Sequence, residues 1–179
     1  MKQLYSAGAL LALLLMVGCS SNETTVEANL GIKNAPEWVN KGTQAVDNDD
    51  GRLIHGVGMA PVMGDVSLQK STADNRARAE IARVMKTYVN AVVNDYTASA
   101  SGEADMSVQR TIETTTQLAL SGAKILGHWK DESTGDIYAF AELDVKSLDE
   151  LVSKSDNLAE SFKSFYSQNN DIKFERFTQ

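Results

Sequence analysis

Histidine is the side chain that most often acts as a base or metal ligand near neutral pH, and this chain contains only His55 and His128. Neither has a cysteine or carboxylate beside it at the spacing of a metal site. No grouping of serine, histidine and aspartate suggests an activated nucleophile. We therefore predict structural or surface roles for both histidines, with no catalytic residue, no metal and no cofactor.

A calcium loop is the next chemistry to test, because the run Asp47-Asn48-Asp49-Asp50-Gly51 sets acids before a glycine. With Gly51 at the sixth position of an EF-hand loop, the first and twelfth positions fall on Val46 and Val57. Neither valine offers an oxygen ligand. The segment is instead predicted to be a turn that leads into a strand.

The only cysteine, Cys19, follows an apolar run from Ala7 to Val17 that has one cation, Lys2, before it. The run is shorter than the ~20 residues of a membrane-spanning helix and is typical of a secretory signal. Met16 to Cys19, MVGC, resembles the lipobox of bacterial lipoproteins, in which the chain is cleaved before the cysteine. The alternative is an incidental cysteine after an ordinary signal.

That likeness implies a signal peptide at residues 1–18 and a lipidated tether at 19–35. Cys19 would carry diacylglycerol and palmitate, and the protein would be anchored to the outer membrane of the cell envelope, most simply facing the periplasm. The chain has a net charge of −7, which becomes −8 if the leader with Lys2 is removed. Such a charge disfavours nucleic acid as a partner, because that binding depends on neutralising phosphates.

The folded part is predicted to begin at Pro36 to Val39, with Trp38 docked on the core. Its first strand is predicted from Leu53 to Ala60, in which Gly56 and Gly58 share a face. A dinucleotide site would need a third glycine where Pro61 stands. Two glycines on one face instead indicate that another element packs close to the strand backbone. The predicted neighbour is a long amphipathic helix from Ser67 or Ser71 to about Tyr96, whose apolar residues recur at helical spacing.

A second helix is predicted to end near Leu120, and a hairpin follows it. In the hairpin, Ile125, Gly127 and Trp129 share one face of the first strand, residues 131–136 form the turn, and Ile137 to Leu143 form the second strand. The fold class is therefore α+β, a small antiparallel sheet packed against a long helix in the order β-α-α-β-β-α.

Five segments carry a resemblance to the LPP-twenty family of bacterial outer-membrane lipoproteins, including its flagellum-associated, FlgP-like members. They are PEWV, HGVGMA, NRARAEIARVM, SGAKILGHW and IYAFAELD, all between residues 36 and 145. The likeness implies a helix on a small antiparallel sheet and, for FlgP-like members, assembly into rings or discs. It implies no catalytic residue.

Residues 146–179 are predicted to form a C-terminal amphipathic helix and tail outside the domain at 36–145. Ser147 and Glu150 have the spacing of a capping box. A heptad seam then follows, with alternating steps of three and four residues, in which Ser155 is the one position without a large apolar side chain. The seam either docks on its own domain or zips to a neighbour, and the interruption at Ser155 favours docking. Its positions are Leu148, Leu151, Ser155, Leu158, Phe162 and Phe165.

The leading prediction is a non-enzymatic outer-membrane lipoprotein that acts by self-association or by binding an envelope partner. The alternative is a periplasmic module that binds a small ligand or glycan in a cleft at Trp129, Tyr138 and Phe140. An enzyme ranks third. The predicted interaction surface comprises Trp129, Tyr138, Phe140, Phe162 and Phe165.

Overall fold

The computed structural model describes residues 29–45, 51–99 and 106–178. Residues 1–18, Cys19 and the acids Asp47 to Asp50 lie outside the described residues. The elements run α1 Glu37–Asn40, a 3₁₀ helix Gly42–Ala45, β1 Leu53–Ala60, α2 Val66–Ser99, α3 Met106–Leu120, β2 Lys124–Lys130, β3 Ile137–Asp144, α4 Lys146–Lys154 and α5 Glu160–Thr178. The predicted α+β class is confirmed, and the predicted order holds once the short α1 is set aside.

The three described strands form an antiparallel sheet in the order β1-β3-β2. The central strand, β3, pairs with β1 so that Ala141 lies opposite Gly56 and Ala139 opposite Gly58. These four residues present almost no side-chain bulk on one face of the sheet. That face receives a helix.

The helix on this face is α2, and it approaches β1 as closely as the sequence predicts. A Cβ added to Gly58 would collide with the backbone of Ala73 and Ala77, and one added to Gly56 would collide with Ala77. Ala73 and Ala77 are themselves fully buried. Glycine is therefore required at both positions by packing, since no side chain could fit between the strand and the helix.

The predicted faces of β2 are wrong in part. Ile125 lies opposite Ala141, on the face that α2 covers, whereas Gly127 and Trp129 lie opposite Phe140 and Tyr138 on the other face. A bulge between Ile125 and Gly127 separates the two groups. One extra residue reverses the alternation of all residues beyond it, and a regular period of two cannot reveal this.

The predicted single seam at the C-terminus is also wrong, because the helix ends at Lys154 and α5 begins only at Glu160. Leu148 and Phe162 are fully buried, and Leu158 nearly so. All three belong to the same apolar core as the residues of α2 and β3. The segment therefore completes the core, and the docking alternative describes it better than a zipper to a neighbour.

The start of α4 differs from the predicted capping box. Asp144 Oδ1 accepts a hydrogen bond of 2.9 Å from the backbone N–H of Lys146, and the Ser147 hydroxyl donates to the carbonyl of Asp144 at 2.8 Å. Ser147 thus bonds backward and does not reach an N–H of the helix. An aspartate just before a helix serves the same purpose, because its carboxylate satisfies a free N–H and favours the positive end of the helix dipole.

The last residues of the predicted tether belong to the folded part. The side-chain amide of Asn40 accepts from the N–H of Ile32 at 2.9 Å and donates to the carbonyl of Ile32 at 3.0 Å. The N–H of Leu30 donates to the carbonyl of Asn40 at 3.1 Å. Residues 30–32 are therefore bound to the end of α1, and the tether is shorter than predicted.

Candidate functional site

The candidate site lies on the face of the sheet opposite α2, which we call the outer face. It carries alternate residues of the three strands: His55, Val57 and Met59 of β1, Gly127 and Trp129 of β2, and Tyr138, Phe140 and Glu142 of β3. No long helix packs on it within the described residues; α2 packs on the opposite face. The two faces of one sheet are thus covered very differently.

One half of the outer face is covered by the N-terminal segment. Trp38 of α1 lies over Phe140, with ring centroids 5.5 Å apart, and the neighbouring Val39 is buried. His55 also stacks on Phe140, with ring centroids 5.3 Å apart. Phe140 is consequently only 7% exposed. The prediction that it contributes to an interaction surface is wrong, because the chain's own Trp38 and His55 already occupy its contacts.

His55 is nearly buried and lies opposite Glu142 in the sheet. Its Nε2 is 3.1 Å from Glu142 Oε2. The carboxylate satisfies one ring nitrogen in a place that water hardly reaches, as a buried polar group requires. This geometry gives His55 a structural role at the covered half of the outer face.

The other half, which we call the open half, consists of Met59, Gly127 and Trp129 around the ring of Tyr138, which is only 9% exposed. The rings of Trp129 and Tyr138 are 5.6 Å apart and tilted by 52°. Met59 is 37% exposed and Trp129 is half-buried. Burial first, and then the negative charges of Asp136 and Asp131, raise the pKa of Tyr138. Its hydroxyl therefore stays neutral and can both donate and accept a hydrogen bond.

The structure separates the remaining predicted surface residues from this face. Phe162 is fully buried and lies edge-on to Tyr96 of α2, with ring centroids 5.1 Å apart. Phe165 is half-buried and also contacts Tyr96, at 5.4 Å. The prediction that Phe162 faces a partner is therefore wrong, since it fills the core between α5 and α2. Of the five predicted residues, only Trp129 remains at the open half; Tyr138 beside it is buried, so the prediction that it contributes to an interaction surface is wrong.

A polar cluster around Arg52, just before β1, was not predicted. Its guanidinium pairs with Asp149 of α4 and, at 3.2 Å, with Asp171 of α5. It also lies 5.9 Å from the ring centre of Phe174. Tyr166 donates a hydrogen bond of 2.7 Å to Asp149, and burial raises the pKa of that phenol. The cluster ties α4 and α5 to the start of β1, a structural role.

Two grooves lie elsewhere on the described surface. One, of about 530 Å³, runs between α4 and α5, and two of its acids are already paired: Glu150 with Lys154 at 3.2 Å and Glu160 with Lys163 at 2.9 Å. A smaller one, of about 330 Å³, lies between α2 and α3. In the larger groove the hydroxyls of Ser153 and Ser167 donate to backbone carbonyls, so neither is hydrogen-bonded to a base.

Within residues 29–45, 51–99 and 106–178, no group of three or more His, Cys, Asp or Glu side chains is arranged to hold a metal ion. Over the same part of the chain, no helix combines the length and the apolar character needed to cross a membrane. A scan against models of protein families and a search of curated proteins found no match. The resemblance to the LPP-twenty family therefore stays a prediction.

Proposed function

We propose that this chain is a lipid-anchored protein of the bacterial outer membrane that acts without catalysis, by assembling with copies of itself or by binding an envelope partner. The anchor is Cys19, and the domain faces the periplasm. Because the chain resembles a family with flagellum-associated, FlgP-like members, a flagellar protein is one partner to test.

One observation supports the binding part of this proposal above the others. Met59 and Trp129 are accessible on the two edge strands, on either side of Tyr138, in a sheet whose opposite face is covered by α2. Aromatic residues and methionine are enriched where proteins bind each other, because they bury a large area with few rotatable bonds. The open half of the outer face therefore has the composition of a binding surface.

Site-specific cross-linking tests the surface. A photoreactive residue at position 129 should trap a second copy or an envelope protein in intact cells. The same residue at position 78, where Arg78 is exposed on α2, is the matched control and should trap far less. Adducts at position 78 in place of position 129 would put the interface on the helix side and contradict the proposal.

Replacement of the anchor residue tests the location. Cys19→Ser removes the only thiol in the chain, so the variant should lose lipid labelling and leave the membrane fraction. Outer-membrane delivery of the native protein is checked by density separation of the two membranes. Full membrane association of Cys19→Ser with unchanged labelling would refute the anchor, while recovery of the native protein with the inner membrane would refute its sorting.

A small-ligand or glycan-binding module remains the second candidate, because the accessible indole of Trp129 could stack on a sugar ring. Titration with glycan fragments, followed by tryptophan fluorescence, separates the two. Binding that disappears in Trp129→Phe but persists in Trp38→Phe, together with a mass that does not change with concentration, would favour this candidate over the first.

A further inference from the structure

Strand β2 forms an edge of the sheet that the described chain leaves uncovered. It pairs only with β3, and none of its residues is fully buried. Leu126, at the bulge, is 54% exposed. An edge strand of this kind presents backbone N–H and C=O groups that can pair with another chain.

The opposite edge, on β1, is less available. Arg76 Nη1 donates to the carbonyl of Met59 at 2.6 Å, and Gln69 Nε2 donates to the carbonyl of Ala60 at 3.2 Å. The 3₁₀ helix Gly42–Ala45 also packs against β1. An incoming strand would have to displace these contacts. The free edge for strand addition is therefore that of β2.

Gly127, at the middle of β2, is a glycine that the chain's own structure does not require. A Cβ added there would meet no heavy atom within 4 Å, and its φ is not among the positive values of the described glycines. Gly58, by contrast, is required because α2 would collide with any side chain. A strand glycine without an internal reason leaves room for something that comes from outside.

The room over Gly127 lies on the outer face, between the indole of Trp129 and the strand position of Phe140, whose ring Trp38 already covers. In a sheet, a large side chain on the next strand can lie across a glycine and contact the aromatic residues around it. An apolar side chain from an added strand would therefore continue the aromatic surface of the open half. It would also cover the partly exposed backbone of Gly127.

The charge of β2 selects among possible added strands. Lys124 and Lys130 stand at its two ends and are exposed, and neither forms an ion pair within the described residues. Antiparallel pairing of β2 with a second β2 about Gly127 would set Lys124 opposite Lys130, and parallel in-register pairing would set each lysine beside its copy. Like charges directly opposite destabilise a strand pair. An acidic strand meets no such repulsion.

We propose that β2 binds an extended acidic segment of an envelope partner as a fourth strand of the sheet, with a large apolar side chain of that segment seated over Gly127. Backbone hydrogen bonds supply much of the affinity, and the lysines and the gap over Gly127 supply the specificity. This proposal rests on the proposed function in needing a protein partner. It does not depend on the lipid anchor.

The test begins with a displayed library of random nine-residue peptides, selected on the purified full chain. The expected peptides combine two or more Asp or Glu with one central large apolar residue. Their binding should weaken as salt rises, because exposed charges are screened. Backbone amides of β2 should become protected from hydrogen exchange when the selected peptide binds.

Two variants with matched controls locate the site. Gly127→Val should fold normally, since its Cβ would meet no heavy atom within 4 Å, yet weaken the peptide about tenfold or more by filling the gap. Gly64→Val, whose Cβ would also meet nothing within 4 Å, should have no effect. Lys124→Glu with Lys130→Glu should weaken it by a similar factor. Lys70→Glu with Lys146→Glu, which changes the net charge equally at two other exposed lysines, should not.

Three results would overturn the proposal: a library that yields no binder, selected peptides without acidic residues, or binding that is unchanged in Gly127→Val. None of these results would contradict the proposed function, which the cross-linking at position 129 tests separately. A chain that traps a partner through Trp129 but fails the peptide test would keep the proposed function and lose the fourth strand.

Discussion

Gly58 and Gly127 are both strand glycines, and their surroundings give them opposite roles. The backbone of α2 leaves no space for a Cβ at Gly58, while nothing lies within 4 Å of the corresponding position at Gly127. The same residue type thus allows a helix to pack in one case and leaves a surface open in the other. The sequence predicted the close packing at Gly58, because a helix with small residues follows β1. Nothing in the residue spacing showed that Gly127 would face open space.

Gly58→Ala is expected to destabilise the domain by ~1–3 kcal/mol or more, because one methyl group must push strand and helix apart. Thermal unfolding measures the change. Gly64→Ala is the matched control, since its Cβ would meet nothing within 4 Å, and it should unfold at nearly the native temperature. Equal unfolding temperatures for the two variants would contradict the close packing of α2 on β1.

Asp131 organises the turn between β2 and β3. Its Oδ1 accepts 2.6 Å and 2.8 Å hydrogen bonds from the hydroxyl and N–H of Ser133. These bonds, the hydroxyl first, lower the pKa of the carboxyl. A carboxyl with a lowered pKa in the folded state stabilises the fold fully above its unfolded pKa of about 4. That contribution is lost as the pH falls through the lower, folded value.

The unfolding temperature of the native chain should therefore fall on acidification below about pH 4. Asp131→Asn should show a smaller fall over the same range, because the amide does not titrate. Scanning calorimetry at several pH values measures both curves. Parallel curves would mean that Asp131 contributes nothing to the loss of stability in acid, and that other carboxylates cause it.

At the scale of elements, the local pattern predicted most of the fold. The ends of β1 and β3 and the body of α2 follow from periods of two and 3.6 residues. The bulge in β2 and the break between α4 and α5 did not follow, because one inserted residue or a short irregular stretch barely disturbs a spacing pattern. The cluster around Arg52 could not be predicted either, because Asp149 and Asp171 are distant from Arg52 in the sequence and contact it only in the folded chain.

The C-terminal helices are expected to be indispensable to the core. Phe162→Ala should cost ~3–5 kcal/mol, because it empties a fully buried position that Tyr96 contacts. Ile172→Ala on the same helix is the control, as Ile172 is 53% exposed, and it should change stability little. Urea unfolding of both variants gives the comparison.

Truncation after Val145 extends this prediction. It removes α4 and α5 together with the partners of Arg52, so the remaining chain should lose cooperative unfolding. A truncated chain with a sharp native transition would show that β1, β3 and α2 suffice, and that the last two helices are an addition to a complete domain.

At the scale of the whole molecule, the sheet separates a covered side from an accessible one. The helices bury one face, whereas residues 30–45 cover only part of the other. If Cys19 is the anchor, as proposed, ten residues separate it from Leu30, and a flexible chain of that length would span ~18 Å on average. A lipid-anchored domain would then remain close to its membrane.

Asn40→Ala should lengthen this tether without unfolding the domain, because it removes the two side-chain bonds to Ile32. Hydrogen exchange at the amide of Ile32 should accelerate, while the amides of β3 keep their protection. Asn94→Ala, at an exposed position on α2, is the control and should leave both unchanged. Loss of protection in β3 would instead make the N-terminal segment part of the cooperative core.

The strand order has a consequence for how the protein is made. β3 is the last strand in the chain and the central one in the sheet, so β1 has no strand to pair with until residue 144 has been synthesised. Pairing across such a sequence separation is slow, since a long loop must close first. If residues 1–18 direct export, the late pairing of β1 with β3 keeps the chain unfolded during synthesis. An unfolded chain can pass through an export channel, and the domain would then fold after it has crossed the membrane.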